Sequence, residues 1–112
     1  MASEQTLGDI SYVNGGVGEE EVQHIKGLMK DYSLRLAFSR AGRPRAEYVA
    51  SVAVTVTDAK GKAIFELASA GPYLLLKLPE GKYSVTATYE NQSVTRPVVA
   101  AKGTQPVNFV WK

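Results

Sequence analysis

Few side chains in this sequence carry reactive chemistry. The single histidine, His24, follows Glu20 by four residues, which on a helix puts imidazole and carboxylate on one face. Such a carboxylate favours the protonated imidazole, the beginning of an acid–base pair. No nucleophile and no third orienting group accompany the pair, so an exposed i,i+4 contact is the better reading. Glu19, Glu20 and Glu21 invite a hard-cation reading. Consecutive helix residues point ~100° apart, however, and these three cannot converge on one ion without partners. Asn14-Gly15-Gly16-Val17-Gly18 precedes them and invites a phosphate reading, because helix N-termini attract anions. No Gly-Lys-Ser/Thr follows, as a phosphate-binding loop needs, and three first-turn carboxylates repel phosphate. The segment reads as a hinge and a helix start.

Arg40, Arg43 and Arg45 form the one local basic cluster. It suits an anionic glycan, phosphate or lipid head group, weighed against a merely solvated hairpin loop. Tyr73, just after Gly71-Pro72, and Trp111 are candidates for an aromatic ligand platform. Trp111 alternates with Phe109 and Val107, which favours burial instead. Ser51, Thr55, Ser84, Thr86 and Thr88 fall on the outward side of alternating segments and serve strand propensity rather than nucleophilic attack. The candidate binding residues are therefore Arg40, Arg43, Arg45, Asn14, Glu19 and Glu20, within the segments Arg40–Arg45 and Asn14–Glu21. No catalytic residue, metal ligand or cofactor is expected.

Composition agrees with that restraint. The absence of cysteine excludes a disulfide scaffold, a thiolate nucleophile and cysteine-ligated metals. Thirteen Lys+Arg against eleven Asp+Glu leave a net charge of +2, too small an excess for a strong field. A nucleic-acid binder concentrates basic residues on one face, and no nucleic-acid partner is expected. Tyr73-Leu74-Leu75-Leu76 is far short of the ~20 apolar residues of a membrane span. Met1-Ala2-Ser3-Glu4-Gln5 lacks the basic start and apolar stretch of a signal peptide. A mature periplasmic or secreted segment with a starting Met is one reading, and a cytoplasmic chain is another. With 112 residues, 45% of them hydrophobic, the chain is one domain with material for its own core.

The elements that must position these residues divide at about residue 34. Residues 1–33 read as an arm, in which Ile10-Ser11-Tyr12-Val13 is a short strand or an ordered stretch, then the glycine-rich loop, then a helix over Glu19–Tyr32. Val22, Ile25, Leu28, Met29 and Tyr32 recur at spacings of three and four and form its apolar face. First-turn glutamates suit the helix dipole, and Gly27 costs ~1 kcal/mol, so tertiary packing is required. From Leu34 to Lys112 period-two alternation takes over. It is clearest at Val52, Val54 and Val56, at Tyr83, Val85, Ala87 and Tyr89, and at Val107, Phe109 and Trp111. About seven strands result, with turn signals every ~8–12 residues, and Pro97 marks Val94–Val99 as an edge strand. The expected fold is a mainly β, seven-stranded Greek-key β-sandwich with one N-terminal helix packed on it.

One stretch is more specific. Leu78-Pro79-Glu80-Gly81-Lys82-Tyr83 turns the chain and opens a strand with tyrosine, the pattern of a tyrosine corner. Upstream lie Val52-Ala53-Val54-Thr55-Val56-Thr57, the turn Asp58-Ala59-Lys60-Gly61, and Ala63-Ile64-Phe65. This order, over roughly Leu34 to Trp111, resembles the transthyretin-like (prealbumin-like) sandwich of carboxypeptidase regulatory-like domains. The resemblance implies structural roles for Tyr83, Pro79 and Gly81. It also implies an accessory, binding or rigidifying module of secreted proteins with no shared catalytic residues. Hydroxyisourate hydrolases of this fold use several histidines and a C-terminal Tyr-Arg-Gly-Ser. This chain has one histidine and ends Phe109-Val110-Trp111-Lys112, which does not support that activity.

The expected function is a non-enzymatic, secreted or periplasmic module that contacts another protein or an anionic cell-envelope glycan, as a monomer or weak homodimer. A small hydrolase and a purely structural spacer are the alternatives. Related adhesin repeats join a lysine to an asparagine covalently, but here Arg35 stands on the first sandwich strand where the lysine would be needed, with Asn108 on the last. The intact mass should equal that of the uncrosslinked chain, and a deficit of one ammonia would overturn this.

Overall fold

The computed structural model describes residues 4–16, 18–42 and 45–112. β1 (Gln5–Leu7) and β2 (Ile10–Gly15) precede α1 (Glu19–Leu28), which tightens into a 3-10 turn at Met29–Asp31. There follow β3 (Leu34–Arg40), β4 (Glu47–Tyr48), β5 (Val52–Asp58), β6 (Ala63–Ala70), β7 (Tyr73–Lys77), β8 (Gly81–Tyr89), β9 (Gln92–Ala100) and β10 (Gln105–Trp111). The strand count among the described residues is ten, not about seven. The additions are β1, β2 and the two-residue β4.

The strands form two sheets. One runs β1-β2-β7-β3-β10, with β4 pairing the end of β3, and the other runs β6-β5-β8-β9. The pairings are antiparallel except one. β3 and β10 run parallel in unbroken register from Leu34 beside Gln105 to Arg40 beside Trp111. Alternation makes each strand two-faced, and the two inner faces close on a shared core, giving a sandwich-like body. Leu34, Leu36 and Phe38 of β3, Leu74 and Leu76 of β7, and Phe109 and Trp111 of β10 meet Val52, Val54, Val56, Phe65, Val85, Ala87 and Val98 there. Phe38 and Phe109 lie with ring centroids 5.6 Å apart, and Tyr12 meets Phe65 edge-on at 5.3 Å.

A second apolar layer lies outside the first sheet. Ile25, Tyr32, Val22, Leu28 and Met29 of the helical segment cover Val13, Ala37, Tyr73 and Leu75. These are the positions that the three-and-four spacing put on one face. β7 is consequently buried on both sides from Tyr73 to Leu76, which is why its sequence shows no alternation. β2 has the same cause: Ile10 and Tyr12 enter the core while Val13 lies beneath α1. The expected N-terminal arm is thus partly sheet, with β2 hydrogen-bonded to β7 from Ser11–Lys77 to Gly15–Tyr73.

Polar contacts anchor this outer layer. The Thr104 hydroxyl donates to Tyr32 O at 2.8 Å and also meets the Met29 carbonyl, satisfying the helix end. Ser33 Oγ accepts from Leu78 N at 2.7 Å, tying the strand entry to β7. The Tyr32 hydroxyl donates to the Glu4 carboxylate, which pairs with Lys77 at 3.7 Å. Across the body, Tyr83 donates to Pro79 O at 2.7 Å, the contact that a tyrosine corner makes. Burial first, and the facing Asp58 second, push the Tyr83 phenol above its ordinary pKa.

Gly16 joins the loop to this packing. Its φ is +107°, and a Cβ there would lie 2.5 Å from Cδ2 of the buried Tyr73. Gly16→Ala combines a left-handed backbone with a steric conflict and should cost about 2–3 kcal/mol. A urea titration reads this as a lowered midpoint at unchanged slope, and an unchanged midpoint would contradict the close approach.

Candidate functional site

The described parts of the two segments singled out in the sequence lie toward the same end of the body. Sheet register brings them there. Gly15 lies opposite Tyr73, and Tyr73 opposite Ala37, so the end of β2, the start of β7 and the outer half of β3 share one row. β3 runs on past that row to Ser39 and Arg40, where β4 takes up the pairing with Tyr48 and Glu47. Tyr73 is the hub. Gly16 sits against one part of its ring, and the Tyr48 ring lies 5.3 Å away, tilted at 38°. Tyr73 is buried, whereas Tyr48 is 61% exposed, the most open large apolar side chain among the described residues.

The individual candidates differ in what they leave available. Asn14 has both amide groups engaged: Oδ1 accepts from Gly71 N at 2.9 Å, and Nδ2 donates to Ser69 O at 3.0 Å. It clamps the turn between β6 and β7 onto β2, a positioning task. Glu21 faces back to accept from Gly16 N at 3.1 Å, holding the loop at the helix start. Glu19 and Glu20 are exposed, and with Gln23 and half-buried His24 they line a shallow depression of about 530 Å³. Arg40 is also exposed and donates to Glu47 at 3.0 Å, with both side chains roughly half or more in solvent. A pair of that kind contributes little to stability and exchanges readily with an incoming anion. Its bond to Glu47 holds the Arg40 guanidinium above its ordinary pKa. Arg45 is exposed and makes no hydrogen bond or ion pair with the described residues. Arg43 lies outside the described residues. No hydrogen bond or ion pair joins Glu19 or Glu20 to the arginines among the described residues.

Pro79, Gly81 and Tyr83 gather at the opposite end, with Gly81 opening β8 against Ala100. Trp111 is buried, stacks on Phe109 at 6.3 Å, and donates Nε1–H to Gln92 O at 3.0 Å. It belongs to the core and not to a ligand platform. Arg35 Nη2 donates to Asn108 Oδ1 at 2.8 Å, so the residue on the first sandwich strand does contact that asparagine.

Two features of the site escaped the sequence reading. Tyr48 stands four residues before the alternating run that opens at Val52, with nothing in the local pattern to mark it, and its pairing with Ser39 sets it apart as β4. Glu47 could have been found as the acidic mate of Arg40, since a hairpin places opposite charges across from each other.

No family model matches this chain, and no curated protein matches it.

Burial first, then the Tyr48 hydroxyl, pushes the Tyr73 phenol up to about 12. The unfolded chain ionises near the ordinary value of about 10. Tyr73 therefore contributes stability that is complete below about pH 10 and declines as pH rises toward 12. Absorbance titration should show several tyrosines ionising late, since burial also raises the Tyr32 and Tyr83 phenols, and Tyr73→Phe should remove one of these late steps. An unchanged number of late-ionising tyrosines after the substitution would contradict the assignment.

Proposed function

We propose that this chain is a non-enzymatic binding module with a transthyretin-like Greek-key arrangement, of the carboxypeptidase regulatory-like kind, working in the periplasm or outside the cell. Strand order supports the fold reading. β3, β7 and β10 share one sheet while β5, β6, β8 and β9 share the other, so the chain passes between layers before β5, β7, β8 and β10. The Tyr83–Pro79 contact supports it as well.

The binding surface in this reading is the end of the body around Tyr48, Arg40 and Arg45, backed by Gly15 and Gly16. The observation that carries it is the junction at Tyr73. One buried ring braces both the glycine-rich loop and an exposed tyrosine, beside guanidinium groups at the surface. An aromatic face held rigidly costs little entropy on contact, and nearby arginines suit carboxylate or phosphate groups. The partner is a protein or cell-envelope glycan that presents such groups.

The test is retention on an immobilised polyuronate and cosedimentation with purified cell-wall sacculi. The Arg40→Glu/Arg45→Glu variant should bind at least tenfold more weakly, with an unchanged circular dichroism spectrum. Tyr48→Ala should weaken binding at high salt, where the charge contribution is screened. Binding unchanged in both variants would remove this end from consideration.

A further inference from the structure

The edge strand of a sheet presents an unpaired row of backbone N–H and C=O groups, and proteins ordinarily guard it. Three of the four sheet edges here are guarded or short. β9 carries Pro97, and its Arg96 reaches across to donate to Asn108 O of β10 at 2.5 Å. β10 carries Pro106, and its Trp111 is tied back to Gln92 O. β1 has only three residues.

β6 is different. It is eight residues long, contains no proline, and carries a single charge, Glu66. β5 pairs it on one side, and among the described residues no strand pairs it on the other. Asn14 occupies Ser69 O near its end. From Ala63 to Ala68 it makes no hydrogen bond beyond the β5 ladder among the described residues.

Two depressions border this open stretch. One of about 250 Å³ lies between β1 and β6, lined by Leu7, Gly8, Ala63, Ile64, Phe65 and Glu66. A larger one of about 460 Å³ continues past Gly8 and Asp9 to Asp58, Lys62, Pro79 and Tyr83. Leu7 on the rim is 37% exposed. Three acids, Asp9, Asp58 and Glu66, therefore line the two depressions against one base, Lys62.

We propose that the β6 edge from Ala63 to Ala68 accepts an added strand: an extended, apolar segment of a partner protein, flanked by basic residues. Each part of that chemistry answers an observation. The unpaired edge calls for a second backbone with matching donors and acceptors, which a sugar or lipid does not supply. Six residues of edge span ~20 Å, room for five or six residues of partner strand. The depressions beside Ile64 and Leu7 receive apolar side chains, and the acidic lining receives the basic flanks. A second copy of this chain fits less well. A two-fold pairing would bring Glu66 and the acidic lining against their own copies, and like charges across a strand pair destabilise it. This surface is independent of the one around Tyr48.

The test uses the full chain and a seven-residue peptide alternating valine and threonine between terminal lysines. Two control peptides carry terminal glutamates, or N-methyl groups at alternate backbone nitrogens. The lysine-flanked peptide should bind at least tenfold more tightly than either control by calorimetry. It should also slow amide hydrogen exchange at alternate residues of Ala63–Ala68 at least tenfold. Glu66→Lys, on an exposed position, should reduce its affinity at least fivefold without altering the fold. Binding equal to the N-methylated control, protection confined to other strands, or no binding at millimolar peptide would overturn the proposal. So would a chain that dimerises in sedimentation with the same β6 amides protected.

Discussion

The covering of β7 on both faces is the constraint from which the rest of the architecture follows. Leu74 and Leu76 face the inter-sheet core, while Tyr73 and Leu75 face outward and are equally dry. Exposing that outer pair to water would forfeit about 1.5–3 kcal/mol for a leucine-sized side chain. Something must therefore lie on them, and α1 does. Its own propensity is modest, with Gly27 inside it and no side-chain cap at Gly18, so it is helical because this sheet face is there to receive it. The loop before α1 is drawn against Tyr73 by the same requirement. Asn14 and Glu21 then fix the path of a backbone that Gly15, Gly16 and Gly18 would otherwise leave loose.

Seen this way, the residues that looked most like a binding motif divide their labour. Asn14 and Glu21 hold the end of the body in shape, and Gly16 provides clearance for a ring. Tyr48, Arg40 and Arg45 are left to face solvent. In the proposed binding reading, the stiffness of the first group serves the second, because a surface already ordered loses less entropy on contact.

The sequence disclosed elements with one wet face and one dry face, and concealed those with two dry ones. Val52, Val54 and Val56, or Val107, Phe109 and Trp111, alternate because their neighbours meet water. The helix stripe from Val22 to Tyr32 was legible for the corresponding reason at its own period. At β2 the alternation is lost, since Val13 under α1 is as apolar as Ile10 and Tyr12 in the core. β4 left no trace because two residues form a strand only when the end of β3 is beside them. The site was half legible. Arginines, glycines and glutamates could be named from residue type, but the approach of Gly16 and Tyr48 to Tyr73 depends on pairings between segments distant in sequence, which local pattern does not encode.

The parallel pairing of β3 with β10 has a mechanical consequence. The first strand after the helix and the last strand of the chain lie side by side over seven matched positions, from Leu34–Gln105 to Arg40–Trp111. Tension entering at Leu34 and leaving at Trp111 pulls the two along their common axis in opposite directions. All the cross-links between them then bear the load at once and must shear together, where a hairpin would peel open one rung at a time. Pull along that axis therefore meets more resistance than it would from a hairpin.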